Sequence, residues 1–246
     1  MSVLITRPDE PGKQLTQQLL EVGISAHHFP LISICASTAI DHLQLDINCS
    51  DIIIAVSQYA VIYADKAISS WPKHSTYLAI GSKTAQQLEQ VTQSKVYTPE
   101  IHESESFLTL PQLQPSTVKG KKVTILRGNG GRELIKERLS LRGADVEYRE
   151  VYQRKNLYFD SKSTVKEWKD KQIKHVVITS NEQLNHLLSM CKSDKQWLIE
   201  RTLYVPSKRI ATQAKALGFS KVICTHGASN PVISCALQAH IKENNQ

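Results

Sequence analysis

The residues best suited to chemistry sit in short clusters of Arg, Lys, Ser, Thr and Gly, each placed where an apolar run stops. The densest is Arg127-Gly128-Asn129-Gly130-Gly131, in which three of the chain's ten glycines fall within four residues. Glycine there permits a tight turn with positive φ and lets a ligand come close to the backbone. Val123, Ile125 and Leu126 before the cluster read as a buried strand. Leu134, Ile135, Leu139 and Leu141 after it form a helical stripe closed by Arg142-Gly143. A strand, a glycine turn and a helix together present free N–H groups and a positive dipole end to an anion. A βα turn that needs glycine only for its own geometry accounts for the same residues. Nucleotide fingerprints do not decide between the two: the third glycine of G-x-G-x-x-G is missing, and no lysine followed by Ser or Thr closes a P-loop.

The same chemistry recurs at five other apolar-run ends: Thr6-Arg7, Ser57-Gln58, Gly81-Ser82-Lys83-Thr84, Thr179-Ser180-Asn181 and Ser207-Lys208-Arg209. Asp, Glu and His are absent from all of them. Any single Ser or Thr here also reads as a helix N-cap that satisfies only its own helix. Together the ends suit a ligand with many carboxylates, above all if two domains bring several helix starts to one cleft. No Ser-His-Asp order, carboxylate pair or activated cysteine setting is legible, so covalent hydrolysis has no support.

The elements that must position these clusters repeat. Val3-Leu4-Ile5 is a strand, followed by a helix carrying Leu15, Leu19, Leu20 and Val22 and stopped by Gly23; Ser25–Ile34 then runs as an extended stretch through Pro30. Arg7 falls on Arg127, Gly23 on Gly143 and Leu31 on Val151, each at an offset of 120 residues. The strand Asp51–Val56 with its following helix matches His175–Ile178 with its own, Tyr77–Ala85 matches Leu203–Ala211, and Lys95–Thr98 matches Lys221–Cys224. The chain is two copies of one α/β plan, which implies parallel sheets, helices on both faces and ligands near the carboxyl ends of the strands.

Bulk properties narrow the classes. With 246 residues, 41% hydrophobic and 22% charged, the chain has the make-up of a globular protein of one large or two modest domains. A net charge of +7 spread along the chain, with 6% aromatics and no RNA-binding pattern, argues against nucleic acid and suits a small polyanion. The five cysteines lack a C-x-x-C, and the nine histidines show no H-E-x-x-H or Cys/His cluster, so reduced thiols and no metal site are expected. His27 and His28 fall on opposite faces of a strand. No secretory leader or membrane-crossing apolar run is legible, and the expectation is a cytoplasmic protein without membrane contact.

Taken together, Val3-Leu4-Ile5-Thr6-Arg7-Pro8, Ser57-Gln58-Tyr59-Ala60-Val61, Ala79-Ile80-Gly81-Ser82-Lys83-Thr84-Ala85, Ile125 to Leu134 and Val151-Tyr152-Gln153-Arg154 resemble the uroporphyrinogen-III synthase family, most closely its enterobacterial type. Val177-Ile178-Thr179-Ser180 and Ser207-Lys208-Arg209-Ile210-Ala211 extend the likeness over nearly the whole chain. Each motif is weak alone; their order and spacing are specific. The resemblance implies two similar doubly wound parallel-sheet α/β domains joined by a two-strand linker, the first domain discontinuous. Residues 1–28 and 156–246 would form that first domain, 38–146 the second, and 29–37 with 147–155 the bridging strands. A flexible inter-domain cleft is implied with it.

The reaction implied is closure of linear hydroxymethylbilane, an octacarboxylate, to uroporphyrinogen III with loss of water, without cofactor or metal. Loss of the ring-A hydroxyl gives an azafulvenium cation; ring D attacks through its substituted carbon to a spiro-pyrrolenine, which reopens and closes with ring D inverted. Unassisted closure gives the uninverted isomer, so the enzyme's task is mainly to hold the bilane in shape. Tyr152, at the family's tyrosine position, is the candidate donor to the leaving hydroxyl, and Thr84 the second catalytic candidate. A ring that merely packs in the hinge explains Tyr152 equally well. Substrate-binding candidates are Thr6, Arg7, Ser57, Gln58, Ser82, Lys83, Arg127, Gly128, Thr179, Ser180, Asn181, Ser207 and Arg209. At Arg209 some distant family members carry threonine, so no catalytic role transfers there. A monomer is expected, with transient contact to the preceding pathway enzyme. A non-catalytic polyanion-binding or sensor protein would share the architecture. A nucleotide-sugar transferase is disfavoured by the missing acidic ribose or metal ligands.

Overall fold

The short apolar runs become strands in the computed structural model, which describes residues 2–38, 40–101, 104–131 and 133–243. In chain order the strands are β1 (Ser2–Ile5), β2 (Ala26–His28), β3 (Ile32–Ala36), β4 (Ile52–Ala55), β5 (Thr76–Ala79), β6 (Val96–Tyr97), β7 (Lys122–Gly128), β8 (Asp145–Asn156), β9 (Ile173–Val177), β10 (Thr202–Val205) and β11 (Lys221–Cys224). They form a five-stranded sheet of order β11-β10-β9-β1-β2 and a six-stranded sheet of order β3-β8-β7-β4-β5-β6. Neighbours from β11 to β2 are parallel, as are those from β8 to β6.

The chain forms two compact units, residues 1–34 with 155–246 and residues 35–154. It leaves the first within β3 and returns to it within β8.

In the first unit the parallel strands are covered on both faces, which is why β1 and β10 are buried throughout and read, after an opening Ser2 and Thr202, as apolar runs. Leu4, Val176, Leu203 and Val205 pack with Val165, Trp168, Leu184, Leu187 and Ile210 on one side. Their sequence neighbours Val3, Ile5, Val177 and Tyr204 pack with Leu15, Leu19, Ile233 and Leu237 on the other. Burying a Leu or Ile of this kind contributes about 1.5–3 kcal/mol.

The second unit repeats the plan. Ile52, Ile54, Leu78, Val123 and Ile125 pack with Phe107, Leu113, Ile135 and Leu139, while helices Gln58–Ala67 and Ser82–Thr92 lie against β4, β5 and β7.

One expectation is corrected. Ser25–Ile34 is not a single extended stretch: β2 and β3 belong to different sheets, and the chain turns at Phe29-Pro30-Leu31. Pro30 has no N–H for a ladder and a fixed φ, so a strand cannot run through it in the interior of a sheet. The residues beside it stay tied to the end of β1, with Phe29 N–H donating to Ile5 O at 2.9 Å and Leu31 N–H to Thr6 O at 3.3 Å.

Candidate active site

The second unit gathers the strongest cluster. β7 ends in Arg127-Gly128, and a register shift between these two residues sets Gly128 opposite Tyr152 of β8. Gly128 has no side chain, and the Tyr152 ring occupies the space that one would need. The ring is 1% exposed and lies 5.7 Å from the Tyr59 ring and 6.1 Å from the Tyr63 ring. Its Oη stands 3.1 Å from Ser57 Oγ and accepts a hydrogen bond from Arg154 Nη2 at 3.1 Å. Ser57 ends β4 and caps the helix Gln58–Ala67 by accepting the Ala60 N–H at 3.2 Å. An arginine can only donate, so the phenol oxygen is its acceptor, and the phenol's own proton is left for Ser57 or a ligand.

Arg127 lines the same place. It is 5% exposed, donates from Nη1 to Glu133 Oε1 at 3.0 Å and from Nε to Gly128 O at 3.3 Å, and stacks 4.1 Å over the Tyr148 ring. Burial, and then the Glu133 carboxylate, push the Tyr148 phenol above its ordinary range. The glycine turn is pinned to β8 by Asn129: its N–H donates to Tyr152 O and its side-chain amide to Arg154 O, each at 3.2 Å. Arg154 N–H donates back to Asn129 Oδ1 at 2.7 Å. Gly130 and Gly131 carry φ of 73° and 131°, which explains glycine at both. Arg127, Gly128, Gly130, Gly131, Tyr148, Tyr152 and Arg154 border a cavity of about 200 Å³. Arg132 of the same motif lies outside the described residues.

The helix runs where the apolar stripe places it, Leu134–Leu141, with Glu133 as its cap residue. The turn is therefore not free of acid, because Glu133 stands at the helix start and pairs with Arg127.

The other candidates of this unit are not among the residues lining the cavity. Gln58 is exposed and donates to Gln87 Oε1 at 3.4 Å. Ser82 and Lys83 are exposed in a helical first turn that carries no acid. Thr84, one residue on, is 6% exposed and is not among the residues lining the cavity.

In the first unit several hydroxyls serve the fold itself. Thr6 is fully buried and donates to Val177 O at 2.6 Å, which ties the end of β1 to β9. Arg7 Nη1 donates to Asn230 Oδ1, and Arg7 O accepts from the His28 ring nitrogen Nε2 at 2.8 Å. Thr179 Oγ1 donates to Gln183 Oε1 at 3.0 Å. Ser180 caps its helix by accepting the Gln183 N–H at 3.2 Å, and Ser207 caps its own by accepting the Ile210 N–H at 3.4 Å. Asn181 Oδ1 is buried without a partner among the described residues, and Arg209 is exposed in an acid-free first turn. The helices after β1 and β9 carry acids in their first turns, Asp9 with Glu10 and Glu182, just beyond the acid-free residues that end those strands.

Sequence reasoning passed over Arg154, Tyr148 and Glu133 as site residues. A signal for Arg154 exists: in a strand, Tyr152 and Arg154 are two residues apart and share a face. Glu133 had no such signal, because its role depends on where the helix starts.

A family model described as Uroporphyrinogen-III synthase HemD matches residues 13–231. The chain is 37% identical over 248 residues to the uroporphyrinogen-III synthase of Escherichia coli (strain K12), covering 97% of this chain and 100% of that protein. It is 39% identical over 197 residues to the uroporphyrinogen-III synthase of Proteus mirabilis, covering 77% of this chain and 98% of that protein. A crystal structure of a mutant uroporphyrinogen III synthase from the extremely thermophilic bacterium Thermus thermophilus matches with a TM-score of 0.65 at 15% identity, over 98% of both chains. The crystal structure of uroporphyrinogen-III synthetase from Helicobacter pylori 26695 matches with a TM-score of 0.60 at 16% identity, over 98% of this chain and 99% of that one. At these identities the two structures speak for the fold, whereas the family model and the more similar sequences speak for descent. The chain belongs to the uroporphyrinogen-III synthase family.

Proposed function

We propose that this protein closes linear hydroxymethylbilane to uroporphyrinogen III, with loss of water and inversion of ring D. Family membership over nearly the whole chain carries the reaction. The observation that carries the chemistry is the buried Tyr152 phenol, which accepts from Arg154 and so keeps its own proton for donation.

In this reading Tyr152 gives that proton to the departing ring-A hydroxyl, which leaves as water and creates the azafulvenium cation. Ring D attacks through its substituted carbon, the spiro-pyrrolenine opens, and closure with ring D inverted releases a proton that restores the phenol. Proton donation by one side chain supplies only part of the acceleration, so most of the rate comes from holding the bilane where the spiro route is the shortest one. Arg127 and Arg154 supply positive charge at the cavity. Exposed Gln58, Ser82 and Lys83 in one unit, and exposed Arg209 with half-buried Asn181 in the other, are the proposed carboxylate contacts. Thr84 acts beside Lys83 through its place in the same helical turn. Thr6, Thr179, Ser180 and Ser207 act through the strands and helix starts they hold together.

The protein works as a monomer in the cytoplasm and receives its short-lived substrate by transient contact with the enzyme that makes it. Among the described residues, no helix is long and apolar enough to cross a membrane. The deciding experiment incubates fresh hydroxymethylbilane with the protein, oxidises the products and separates the porphyrin isomers. Type III in excess over the uncatalysed control is the expected result. Type I alone would refute the proposal, and tight binding without turnover would point instead to a polyanion sensor.

A further inference from the structure

The ion pair between Arg127 and Glu133 is lopsided. The Arg127 side chain is 6% exposed and the Glu133 side chain 55%. A guanidinium that deep cannot be left without a partner except at a large penalty. A carboxylate that exposed is largely solvated, so that leaving Arg127 and the neighbouring Tyr148 phenol for water costs it little. Arg127 Nη2 has no hydrogen-bond partner among the described residues, and it faces Gly131, where a Cβ would stand 2.9 Å from it. The guanidinium thus has one fork nitrogen bound to a replaceable acid and the other open beside a glycine, on the wall of the cavity.

We propose that Glu133 is an internal stand-in for a ligand carboxylate, and that one acidic arm of the substrate displaces it from Arg127. The ligand class follows from the walls. Val56, Ile80, Ile125 and Ile135 are apolar and suit a flat ring, while Arg127 offers a planar fork that matches a carboxylate through two parallel hydrogen bonds. A space of about 200 Å³ is below the roughly 300–1,000 Å³ of sites for whole drug-sized ligands, so it admits one ring with its arms. Exchange keeps the buried charge paired at every stage: Glu133 moves out to water as the incoming carboxylate takes Nη1 and Nη2. The arrangement also fixes a specificity, since a neutral arm would leave Arg127 with Glu133 and gain nothing. The identity of the ligand as a pyrrole rests on the synthase reading; the displacement of Glu133 by a carboxylate does not.

The test uses the full chain and two probes: a monopyrrole carrying one acetate and one propionate arm, and its dimethyl ester. Binding is measured by calorimetry for the parent protein, Glu133→Gln and Arg127→Gln. Removing the competing carboxylate is expected to tighten the diacid about tenfold in Glu133→Gln, the effect of one charged hydrogen bond, and to leave the ester unchanged. Arg127→Gln is expected to lose diacid binding. Equal or weaker diacid binding by Glu133→Gln, or an equal gain for the ester, would overturn the proposal. If Glu133→Gln does not fold, Glu133→Asp decides the matter: its shorter arm retains the charge but not the reach, and an affinity no tighter than the parent's is the refuting result. Isomer analysis of the parent protein separates this inference from the reading it builds on. Tighter diacid binding by Glu133→Gln without type III formation would retire the synthase and leave the exchange standing. Type III formation with no tightening would do the reverse.

Discussion

The Tyr152 ring fills the place where a side chain on residue 128 would be: a Cβ on Gly128 would stand 2.4 Å from both Cε2 and Cζ of Tyr152, and 2.9 Å from its hydroxyl oxygen. Those atoms belong to a ring that is 1% exposed and wedged beside Tyr59 and Tyr63, so the only way it can give is by shifting within its pocket. The φ of Gly128 is not positive, so space and not backbone strain requires glycine there. Gly128→Ala is expected to displace the phenol from Ser57 and Arg154 and to cost about 1–3 kcal/mol of stability, as overpacked sites do. Type III formation is expected to fall at least as far as in Tyr152→Phe, measured alongside the denaturation midpoint. An alanine variant with parental activity would show that the ring position is unimportant.

Removing the hydroxyl alone separates acid from spacer. Tyr152→Phe keeps the ring and loses both the Ser57 contact and the Arg154 donation. Type III formation is expected to fall by about a hundredfold, the lower range for loss of a positioned acid, with substrate affinity little changed. Ser57→Ala leaves the phenol and Arg154 in place and is expected to cost less than about tenfold, through its lost helix cap and a freer phenol. Full activity in Tyr152→Phe would remove the phenol from the mechanism.

The sheets were more legible than the site, for a physical reason. Strands buried on both faces, such as Ile52–Ala55 and Leu203–Val205, show as short unbroken apolar runs bounded by turn residues, and their recurrence gives the parallel order. Pro30 broke a strand that alternation alone would have continued, and the signal was present in its missing N–H. Around Tyr152 the decisive facts are contacts across strands. Gly128 faces Tyr152 only because the register shifts by one residue after Arg127, and a shift of that kind leaves no trace in a single sequence. The glycines therefore looked like room for a ligand when one of them is room for a tyrosine. Thr6 has the residue type of a binding group, yet its hydroxyl spans two strands that are far apart in sequence and meet only in the fold.

The exposed cations give a third expectation. Lys83 and Arg209 each sit in a helical first turn without an acid, where positive charge would draw an anionic ligand if the proposed contacts hold. Lys83→Gln and Arg209→Gln are each expected to raise KM about threefold to tenfold with kcat within about twofold, because they bind ground state and transition state alike. The differences are expected to shrink as salt is raised from about 0.1 M to about 1 M, where the screening length drops from about 10 Å to about 3 Å. A salt-independent KM in the parent protein would exclude steering by these residues.

The last expectation concerns the first unit's tolerance of acid. His175 on β9 is 5% exposed, and its Nε2 has no partner among the described residues. Its Nδ1 lies 3.4 Å from the Tyr204 hydroxyl, which also sits 3.0 Å from His240 Nδ1. Burial, then the charges of His240, Lys174 and Lys221, bring the His175 pKa from its ordinary 6.5 down to about 4. An unfolded chain takes up a proton at this histidine near its ordinary value, while the folded chain refuses it until the lower one. The native state is therefore expected to hold its full stability above about pH 6.5 and to lose about 3 kcal/mol from this residue by about pH 4, with no further loss below. Urea midpoints followed from about pH 7 to about pH 4 in the parent and in His175→Gln supply the measurement. The variant, which has no proton to gain there, is expected to show the flatter profile even if it starts from a lower stability. Parallel profiles would mean that His175 is already charged in the fold, or that the opening of this unit does not expose it.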